Sequence, residues 1–382
     1  MGKIFDSLTE DWKDLHKIVI FGFGKMGRGN IDALMSRFQI VKIIDNNPEL
    51  EGQSYKGINI VTLLTYESLH MKEKIVVVTS GNRYNSISAE LKEAGYREYD
   101  DFCDFATFCN DFFWNDRKEL FIGRLTFNIT TYCTLNCKHC TMLTPYNKNK
   151  KHFDIEQIKK DVKSTFSIVD YVSNFLILGG EPFLHKDLKE LIIFIGIHYR
   201  NKIGNLQIIT NGTLRVPYDL IEVLKQYNVE VRISDYTGRV DYDEQLRVFC
   251  ADLDLHGVEY VSYSHDEWLD MGFPNGKVNM GDDAEELRRH MLKCNPNCQN
   301  VSEGKLYYCA QGWAAEQSGL FSLQPTDYLE LEDNSGESGK EKFRKFYFGD
   351  LENDYFSFCK VCRGWDTDIV VPGGIQFGSG ID

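Results

Sequence analysis

The sequence predicts an α/β protein in three parts. Two long stretches alternate strands with helices, and a third stretch loses that rhythm. Residues 1–105 are expected to form a parallel sheet covered by helices, and 106–122 an aromatic connection that packs rather than flexes. Residues 123–290 are expected to form a partial barrel of β/α repeats, and 291–382 a small irregular domain.

The first part begins with an apolar strand, Lys17–Phe21, which meets a glycine-rich turn and a helix that runs to Arg37. Further strands are expected at Ile40–Ile44 and Lys74–Val78, and a helix over Ser86–Ala94 ends at a glycine. Strands that alternate with helices favour a parallel sheet with helices on both faces.

The central part repeats the same alternation in longer units. Its strands are expected at Arg124–Ile129, Asn174–Leu178, Leu206–Thr210, Val229–Ser234 and Val258–Tyr263. Its helices are expected at Ile155–Phe166, Leu188–His198, Pro217–Tyr227 and Asp243–Phe249. This rhythm suits an open or closed β/α barrel, and we expect a partial (β/α)6-type TIM barrel, in which the loops after the strands carry the functional residues.

Charge and composition exclude several classes of function. The net charge of −14 lacks the basic footprint of a nucleic-acid-binding protein, and no apolar run is long enough for a membrane span. No signal sequence is visible, so a cytoplasmic location is expected. Eight of the 11 cysteines fall in three local groups, which favours metal binding over disulfides. The scattered Cys103, Cys109 and Cys250 are expected to be buried structural thiols.

The first cysteine group lies in the loop after the first strand of the central part. Cys133, Cys137 and Cys140 are spaced C-x3-C-x2-C, so three thiolates can converge on one metal centre. One interpretation is a zinc knuckle that takes His139 or a distant residue as its fourth ligand. The other is a four-iron cluster with three protein ligands, which leaves one iron open to a small molecule.

This loop, in this position, resembles that of the radical S-adenosylmethionine (radical SAM) superfamily. The resemblance implies that the open iron chelates the amino and carboxylate groups of S-adenosylmethionine, which one electron cleaves to methionine and a 5′-deoxyadenosyl radical. It also implies an electron donor such as flavodoxin or ferredoxin. The family usually has an aromatic residue before the last cysteine. Here His139 takes that place, and its ring is expected beside the adenine.

Three more motifs match the family in order, each at the end of a strand, and the resemblance extends from Arg124 to Val371. Gly179-Gly180-Glu181 resembles the family motif that binds the methionine amino group. Thr210-Asn211-Gly212 resembles a T-N-G turn of the same family, and Ser234 matches a position that contacts ribose or the methionine carboxylate. Each motif alone is also an ordinary turn signal.

The last part holds five cysteines. The spacing from Cys294 through Gly304 to Cys309, followed by Cys359 and Cys362, resembles the twitch (shortened SPASM) domain of radical enzymes, which holds a second four-iron cluster. Cys298 is a candidate replacement for Cys294, and a four-cysteine zinc site is the alternative.

The glycine motif near the N-terminus follows a strand and opens a helix. Gly22, Gly24 and Gly27 form G-x-G-x-x-G, and Asp45 ends the next strand, which is the dinucleotide fingerprint. The unit is short, however, and resembles Rossmann-like modules attached to sugar-modifying enzymes. A bound nucleotide or nucleotide-linked substrate, an NAD-linked reaction and a docking module without a ligand all remain open.

The resemblance implies hydrogen abstraction from a small or carrier-linked substrate, and the N-terminal module favours a sugar, nucleotide sugar or aminocyclitol that is oxidised or epimerised. One alternative is radical modification of a ribosomal peptide. Two others, without radical chemistry, are an NAD-dependent oxidoreductase with structural zinc sites and a non-catalytic metal-bound interaction protein. Asp235, Tyr236 and His265 follow strands and are weak candidates for catalysis, and residues 268–283 are a candidate substrate-covering loop.

Overall fold

The computed structural model describes residues 8–12, 15–79, 82–294, 299–332 and 336–378. Two compact units are present. The first takes the chain up to Gly123 together with Val169–Ser173 and Asn201–Asn205, and the second takes the remainder. Among the helices of the described ranges, none has the length and apolar character that a membrane crossing requires.

The first sheet has six strands, and its central strands carry the most buried side chains. The strands are β1 Lys17–Phe21, β2 Gln39–Ile44, β3 Ser54–Tyr55, β4 Ile58–Val61, β5 Lys74–Val77 and β6 Phe102–Asp104. Their order is β3-β4-β2-β1-β5-β6, and every neighbouring pair is parallel except β3 with β4. The helices are α1 Lys25–Met35, α2 Leu63–Ser68 and α3 Asn82–Glu93. The expected parallel sheet is confirmed, but the short β3, β4, α2 and β6 were not predicted.

The aromatic connection is packed, as its composition predicts. It is helical from α4 (Phe105–Thr107) through a π-helical stretch to α5 (Trp114–Arg117). Phe108 and Phe113 are fully buried, and the Phe38 ring lies 5.5 Å from Phe108 and 5.9 Å from Phe113 between ring centroids. Ring pairs of this kind stabilise a core beyond their buried area.

The second sheet is built from strands that alternate with helices. The strands are β7 Phe121–Asn128, β8 Tyr171–Leu178, β9 Ile203–Thr210, β10 Val229–Asp235 and β11 Tyr260–Ser264. The helices between them are α6 Ile155–Ile168, α7 Leu188–His198, α8 Tyr218–Gln226 and α9 Asp243–His256. Each predicted element of this part is present, and α7 has the predicted bounds. Almost every side chain of β8 is buried, as expected of a strand covered on both faces.

The sheet continues into the C-terminal part rather than into a sixth β/α unit. Its order is β11-β10-β9-β8-β7-β13-β14-β15, where β13 is Asn300–Ser302, β14 Lys305–Tyr307 and β15 Tyr328–Glu330. After β11 the chain turns directly into β12 (Glu267–Leu269), which pairs with β16 (Val370–Pro372) in a separate ribbon. The six-unit expectation therefore differs from the five β/α strands of the described chain. The last helices are α10 Ala284–Cys294, α11 Ala310–Gln317 and α12 Gly336–Tyr347.

Candidate active site

The loop between β7 and α6 brings its three cysteines to one cavity. Cys133, Cys137 and Cys140 all line a cavity of about 490 Å³ at the ends of the β/α strands. Cys137 is buried and the other two are half-buried. Burial raises the pKa of the Cys133 thiol to about 12 and that of Cys137 to about 11. Burial thus disfavours the thiolate form of both residues. A bound metal would offset this cost, because metal coordination deprotonates a thiol.

Nitrogen donors already point at two of these sulfurs. The backbone N–H of Leu135 lies 3.4 Å from Cys133 Sγ, and the side-chain amide of Asn211 lies 3.5 Å from the same atom. The side-chain amide of Gln376 lies 3.2 Å from Cys137 Sγ. Such donors stabilise thiolates that ligate iron–sulfur clusters, so this set of residues fits a cluster.

Two glycines let the end of β8 approach the cysteine loop. A Cβ atom on Gly179 would lie 2.5 Å from the Thr130 carbonyl oxygen, and one on Gly180 would lie 2.2 Å from the Tyr132 carbonyl oxygen. The N–H of Glu181 also donates to the Tyr132 carbonyl at 2.8 Å. The glycines are therefore required by packing between strand and loop, and both also line the cavity.

The Glu181 carboxylate is fully buried and connects the ends of β8 and β9. It accepts hydrogen bonds from the Thr210 hydroxyl at 2.9 Å, the Asn211 N–H at 2.8 Å and the Phe183 N–H at 3.1 Å. Burial raises its pKa to about 7, although these donors oppose the shift. Glu181 does not line the cavity, whereas Thr210 and Asn211 do. In this structure the carboxylate positions its neighbours, and its direct contact with an ammonium group stays a prediction.

The strand-end candidates separate into those that line the cavity and those that do not. Ser234, Tyr236 and His265 line it, and the Tyr236 and His265 ring centroids lie 5.8 Å apart. Burial raises the pKa of Tyr236 and lowers that of His265. Asp235 points elsewhere, since it accepts hydrogen bonds from the N–H and hydroxyl of Thr237. His139 is half-buried outside the cavity lining, and burial lowers its pKa.

Several residues of the cavity were not predicted. They are Thr141, Met142, Arg232, Trp268, Leu269, Met271 and Trp365. Arg232 could have been predicted from the sequence, because it lies two residues before Ser234 on β10 and alternate residues of a strand share a face. No sequence pattern predicts Trp365, because it reaches the cavity from the distant C-terminal part. Three of these residues fall in the predicted covering loop 268–283, whose covering role stays a prediction.

The other cysteine group lies together in the C-terminal part. Cys294, Cys309, Cys359 and Cys362 line a second, smaller cavity. Backbone N–H groups lie 3.4 Å from two of the sulfurs, Trp365 from Cys294 and Gly364 from Cys362. Burial raises the pKa of both Cys294 and Cys362 to about 12. The alternative ligand Cys298 lies outside the described residues.

Across the described ranges, no three His, Cys, Asp or Glu side chains are grouped so that they could hold a single metal ion. In an iron–sulfur cluster the thiolates are distributed over several irons.

The N-terminal glycine motif forms a strand-to-helix turn closed by its own residues. Gly22 has φ +103°, and a Cβ on Gly27 would lie 2.1 Å from the Gly22 carbonyl oxygen. Asp45 accepts hydrogen bonds from the N–H of Phe23 at 2.7 Å and of Asn47 at 2.9 Å. One carboxylate oxygen therefore holds the glycine turn and the other holds the chain just after Asp45, and the nucleotide contacts predicted for Gly22, Gly24, Gly27 and Asp45 stay predictions.

Two of the three scattered cysteines are buried, as expected. Cys103 is fully buried in β6 and Cys109 is buried in the connection. Cys250 differs, because it lies on a half-exposed face of α9.

Part of the chain, including the cysteine loop, is similar to a known protein family. Residues 127–247 match the Radical SAM superfamily model. A probable GTP 3′,8-cyclase of Methanococcus aeolicus is 34% identical over 97 residues, which are 25% of this chain and 32% of that protein. A GTP 3′,8-cyclase of Campylobacter jejuni subsp. doylei is 32% identical over 126 residues, 32% of this chain and 37% of that protein. This chain thus spans about a third of the length of these curated relatives.

The solved structures that match this chain are more distant in sequence. BtrN in complex with AdoMet and 2-DOIA is 14% identical, with a TM-score of 0.41 over 65% of this chain and 95% of that one. Streptococcus suis SuiB bound to S-adenosylmethionine is 16% identical, with a TM-score of 0.31 over 63% of this chain and 50% of that one. The family match covers the site: the segment 127–247, which holds Cys133, Cys137 and Cys140, is similar to the Radical SAM superfamily.

Proposed function

We propose that this chain is a radical SAM enzyme that reductively cleaves S-adenosylmethionine. The observation that carries the proposal is one cavity lined by Cys133, Cys137 and Cys140 on the loop and by polar strand-end residues opposite them. When bound there, a four-iron cluster supplies the electron that cleaves S-adenosylmethionine to methionine and a 5′-deoxyadenosyl radical. The protein supplies binding and orientation.

Each residue has a role that its position supports. The three cysteines hold the cluster, and Asn211 donates to Cys133 Sγ. Glu181 fixes Thr210 and Asn211 at the end of β9, because its buried carboxylate accepts from both. Ser234, exposed to the same cavity, offers a hydroxyl to the ribose or carboxylate of the bound molecule.

The flanking parts have their own proposals. The N-terminal unit is a Rossmann-like module, supported by the order β4-β2-β1-β5-β6 of its parallel strands. The β/α strands form a partial TIM barrel that extends into the C-terminal part. Cys294, Cys309, Cys359 and Cys362 hold a second four-iron cluster in a twitch-type arrangement, supported by their shared cavity and by two N–H donors to sulfur.

The substrate is a sugar, nucleotide sugar or aminocyclitol, which the enzyme oxidises or epimerises. The cavity offers the aromatic surfaces of Trp268 and Trp365 together with the polar groups of Arg232, Glu267 and His265. Apolar walls with a few placed polar groups are typical of small-molecule sites, and a hydroxylated ring needs both.

A nucleotide is the second candidate substrate. The curated relatives are named GTP 3′,8-cyclases, and a guanidinium, that of Arg232, lies in the cavity lining. Arginine binds phosphate oxygens in bidentate fashion. Incubation with GTP and, separately, with nucleotide sugars, followed by mass spectrometry, distinguishes the two candidates, since a cyclised GTP product would favour the second.

The test of the class is anaerobic purification with iron and sulfide analysis, then incubation with S-adenosylmethionine and dithionite. We expect 5′-deoxyadenosine and about eight irons per chain, since each cluster holds about four. The variant with Cys133, Cys137 and Cys140 all changed to Ala should lose the product. Bound zinc without iron, or product that persists in the triple variant, would refute the proposal.

A further inference from the structure

The C-terminal tail, defined as residues 370–377, runs from the cavity wall to the cysteine loop. It begins in β16, which pairs with the cavity-lining β12. At its far end the Lys138 N–H donates to the Ile375 carbonyl at 2.6 Å, and the Phe377 N–H donates to the Asn136 carbonyl at 2.9 Å. The tail thus adds a short antiparallel segment to the loop on both sides of Cys137.

Gln376 is the tail residue that faces the loop, and three hydrogen bonds fix its amide. Its Oε1 accepts from the Asn136 N–H at 2.6 Å, its Nε2 donates to the Gly374 carbonyl at 2.7 Å, and the same Nε2 lies 3.2 Å from Cys137 Sγ. A backbone N–H can only donate and a carbonyl can only accept, so the flipped amide is excluded. An N–H must therefore point towards the sulfur.

We propose that Gln376 is a positioning residue that donates a hydrogen bond to the Cys137 thiolate and raises the reduction potential of the barrel cluster. This inference rests on the proposed function, because it requires a cluster on Cys137. Nothing in the cysteine spacing or in the strand-end motifs assigns Gln376, which lies 239 residues from Cys137 along the chain.

The physical reason is electrostatic. One-electron reduction adds negative charge to a cluster and its thiolates, and a donor on sulfur stabilises the reduced state more than the oxidised one. Cys137 is 7% exposed, so water has little access to compensate for a lost donor. Removing the amide should therefore make the barrel cluster harder to reduce.

The experiment is an EPR-monitored redox titration of the reconstituted full-length chain. The barrel cluster is identified as the one whose signal changes when S-adenosylmethionine is added. We expect a more negative midpoint potential in Gln376→Met, which has similar length and no amide. Gln376→Glu should shift it further, since it loses the N–H and adds a negative charge near the sulfur.

Phe377→Ala is the matched control. It removes a ring that lies 5.3 Å from the Tyr146 ring between centroids, and so weakens the packing of the tail without touching the amide. Its midpoint potential should equal that of the wild type. Resonance Raman spectra provide a second readout, in which an Fe–S(Cys) stretching band should move in the Gln376 variants and stay in place in Phe377→Ala.

The outcomes are separable. An unchanged potential and an unmoved band in the Gln376 variants would overturn the inference while leaving the proposed function intact. A shift of equal size in Phe377→Ala would also overturn it, because tail packing would then be the cause. A wild-type chain without a cluster that responds to S-adenosylmethionine would instead refute the proposed function. If Gln376→Met does not bind iron, Gln376→Glu, which keeps the oxygen that accepts from Asn136, decides the question.

Discussion

The two cysteine groups of this molecule are built in different ways. Cys133, Cys137 and Cys140 come from one eight-residue loop segment and open onto a large cavity. Cys294, Cys309, Cys359 and Cys362 come from the end of α10, the start of α11 and a 3-10 helix at Ser357–Val361, and they line a small cavity with aromatic neighbours. An open group of three leaves room for a ligand, whereas an enclosed group of four does not.

The difference teaches how each site depends on the rest of the fold. The first group takes all three thiols from one short loop, which the glycines after β8 allow to lie close to the strand end. The second needs correct packing of three segments separated by tens of residues. Bringing these segments together costs more chain entropy, and this cost is offset only when the C-terminal part is folded. A bound cluster would contribute directly to that folding.

The largest expected effect separates the two groups by chemistry. In Cys359→Ala/Cys362→Ala the iron content should fall from about eight to about four per chain, because one cluster is lost. Formation of 5′-deoxyadenosine from S-adenosylmethionine should persist, since the barrel thiols are untouched. Loss of both iron and product, with the chain still folded by circular dichroism, would show that the two groups are not independent.

A pH effect should follow from Asp161 of α6, which helps to position the C-terminal hairpin. Asp161 accepts hydrogen bonds from Gln157 and from the Gly304 N–H between β13 and β14, and burial raises its pKa to about 6. A pKa raised on folding contributes stability at low pH that is lost as pH rises from about 4 to about 6.

Asp161→Asn should therefore gain stability relative to the wild type over this range, by about 3 kcal/mol for a shift of about two pKa units. Urea denaturation of the apo chain at several pH values measures the difference. Asp241→Asn, at an exposed position, is the control, and its free energy of unfolding should differ from that of the wild type by the same amount at every pH. If the difference in free energy of unfolding between Asp161→Asn and the wild type were also the same at every pH, the assigned pKa shift would be contradicted.

A smaller effect is expected at Glu181, on the side of the open group. In Glu181→Gln the new amide N–H would face one of the donors that the carboxylate now accepts from, so Thr210 or Asn211 would lose its partner. The KM for S-adenosylmethionine should rise because these two residues lose their fixed positions. The exposed Glu244→Gln provides the comparison. An unchanged KM in Glu181→Gln would argue against a clamping role.

The smallest effect is expected for Cys250, which belongs to neither cysteine group. Cys250→Ser places a hydroxyl on a half-exposed helix face, so the free energy of unfolding should change by less than about 1 kcal/mol and the iron content not at all. Cys103→Ser places the hydroxyl in a fully buried strand and should cost about 1–3 kcal/mol. Thermal denaturation compares the two, and equal losses would mean that burial does not set the cost.

Local patterns predicted the elements well where the hydrophobic rhythm is strong. The bounds of α7 coincide with the prediction, and α9 runs seven residues past its predicted end at Phe249 to a left-handed glycine, Gly257. The short β3 and β4 were missed because two to four residues carry too little periodicity to be recognised. A sixth β/α unit was also expected, but in the described chain only two residues separate the end of β11 from the start of β12.

The cysteines and the strand-end motifs of the candidate site could be named from the sequence, since each lies next to a recognisable strand. The carboxylate of Glu181 could not be placed, because its orientation depends on donors from the neighbouring strand β9. Asp235 was a weak catalytic candidate. Its carboxylate accepts a hydrogen bond from Thr237, as side chains in turns often do, and its catalytic role stays a prediction.

The sequence by itself determined which segments form strands and helices and which loops carry thiols, because periodicity and turn chemistry are local. Only the tertiary structure decided that Arg232, Trp268 and Trp365 share a cavity and that Gln376 reaches Cys137. Contacts across hundreds of residues are set by the packing of the whole sheet and the path of the tail. No pattern within a short window encodes that path, because contacts between residues far apart in the chain form only when many elements pack together.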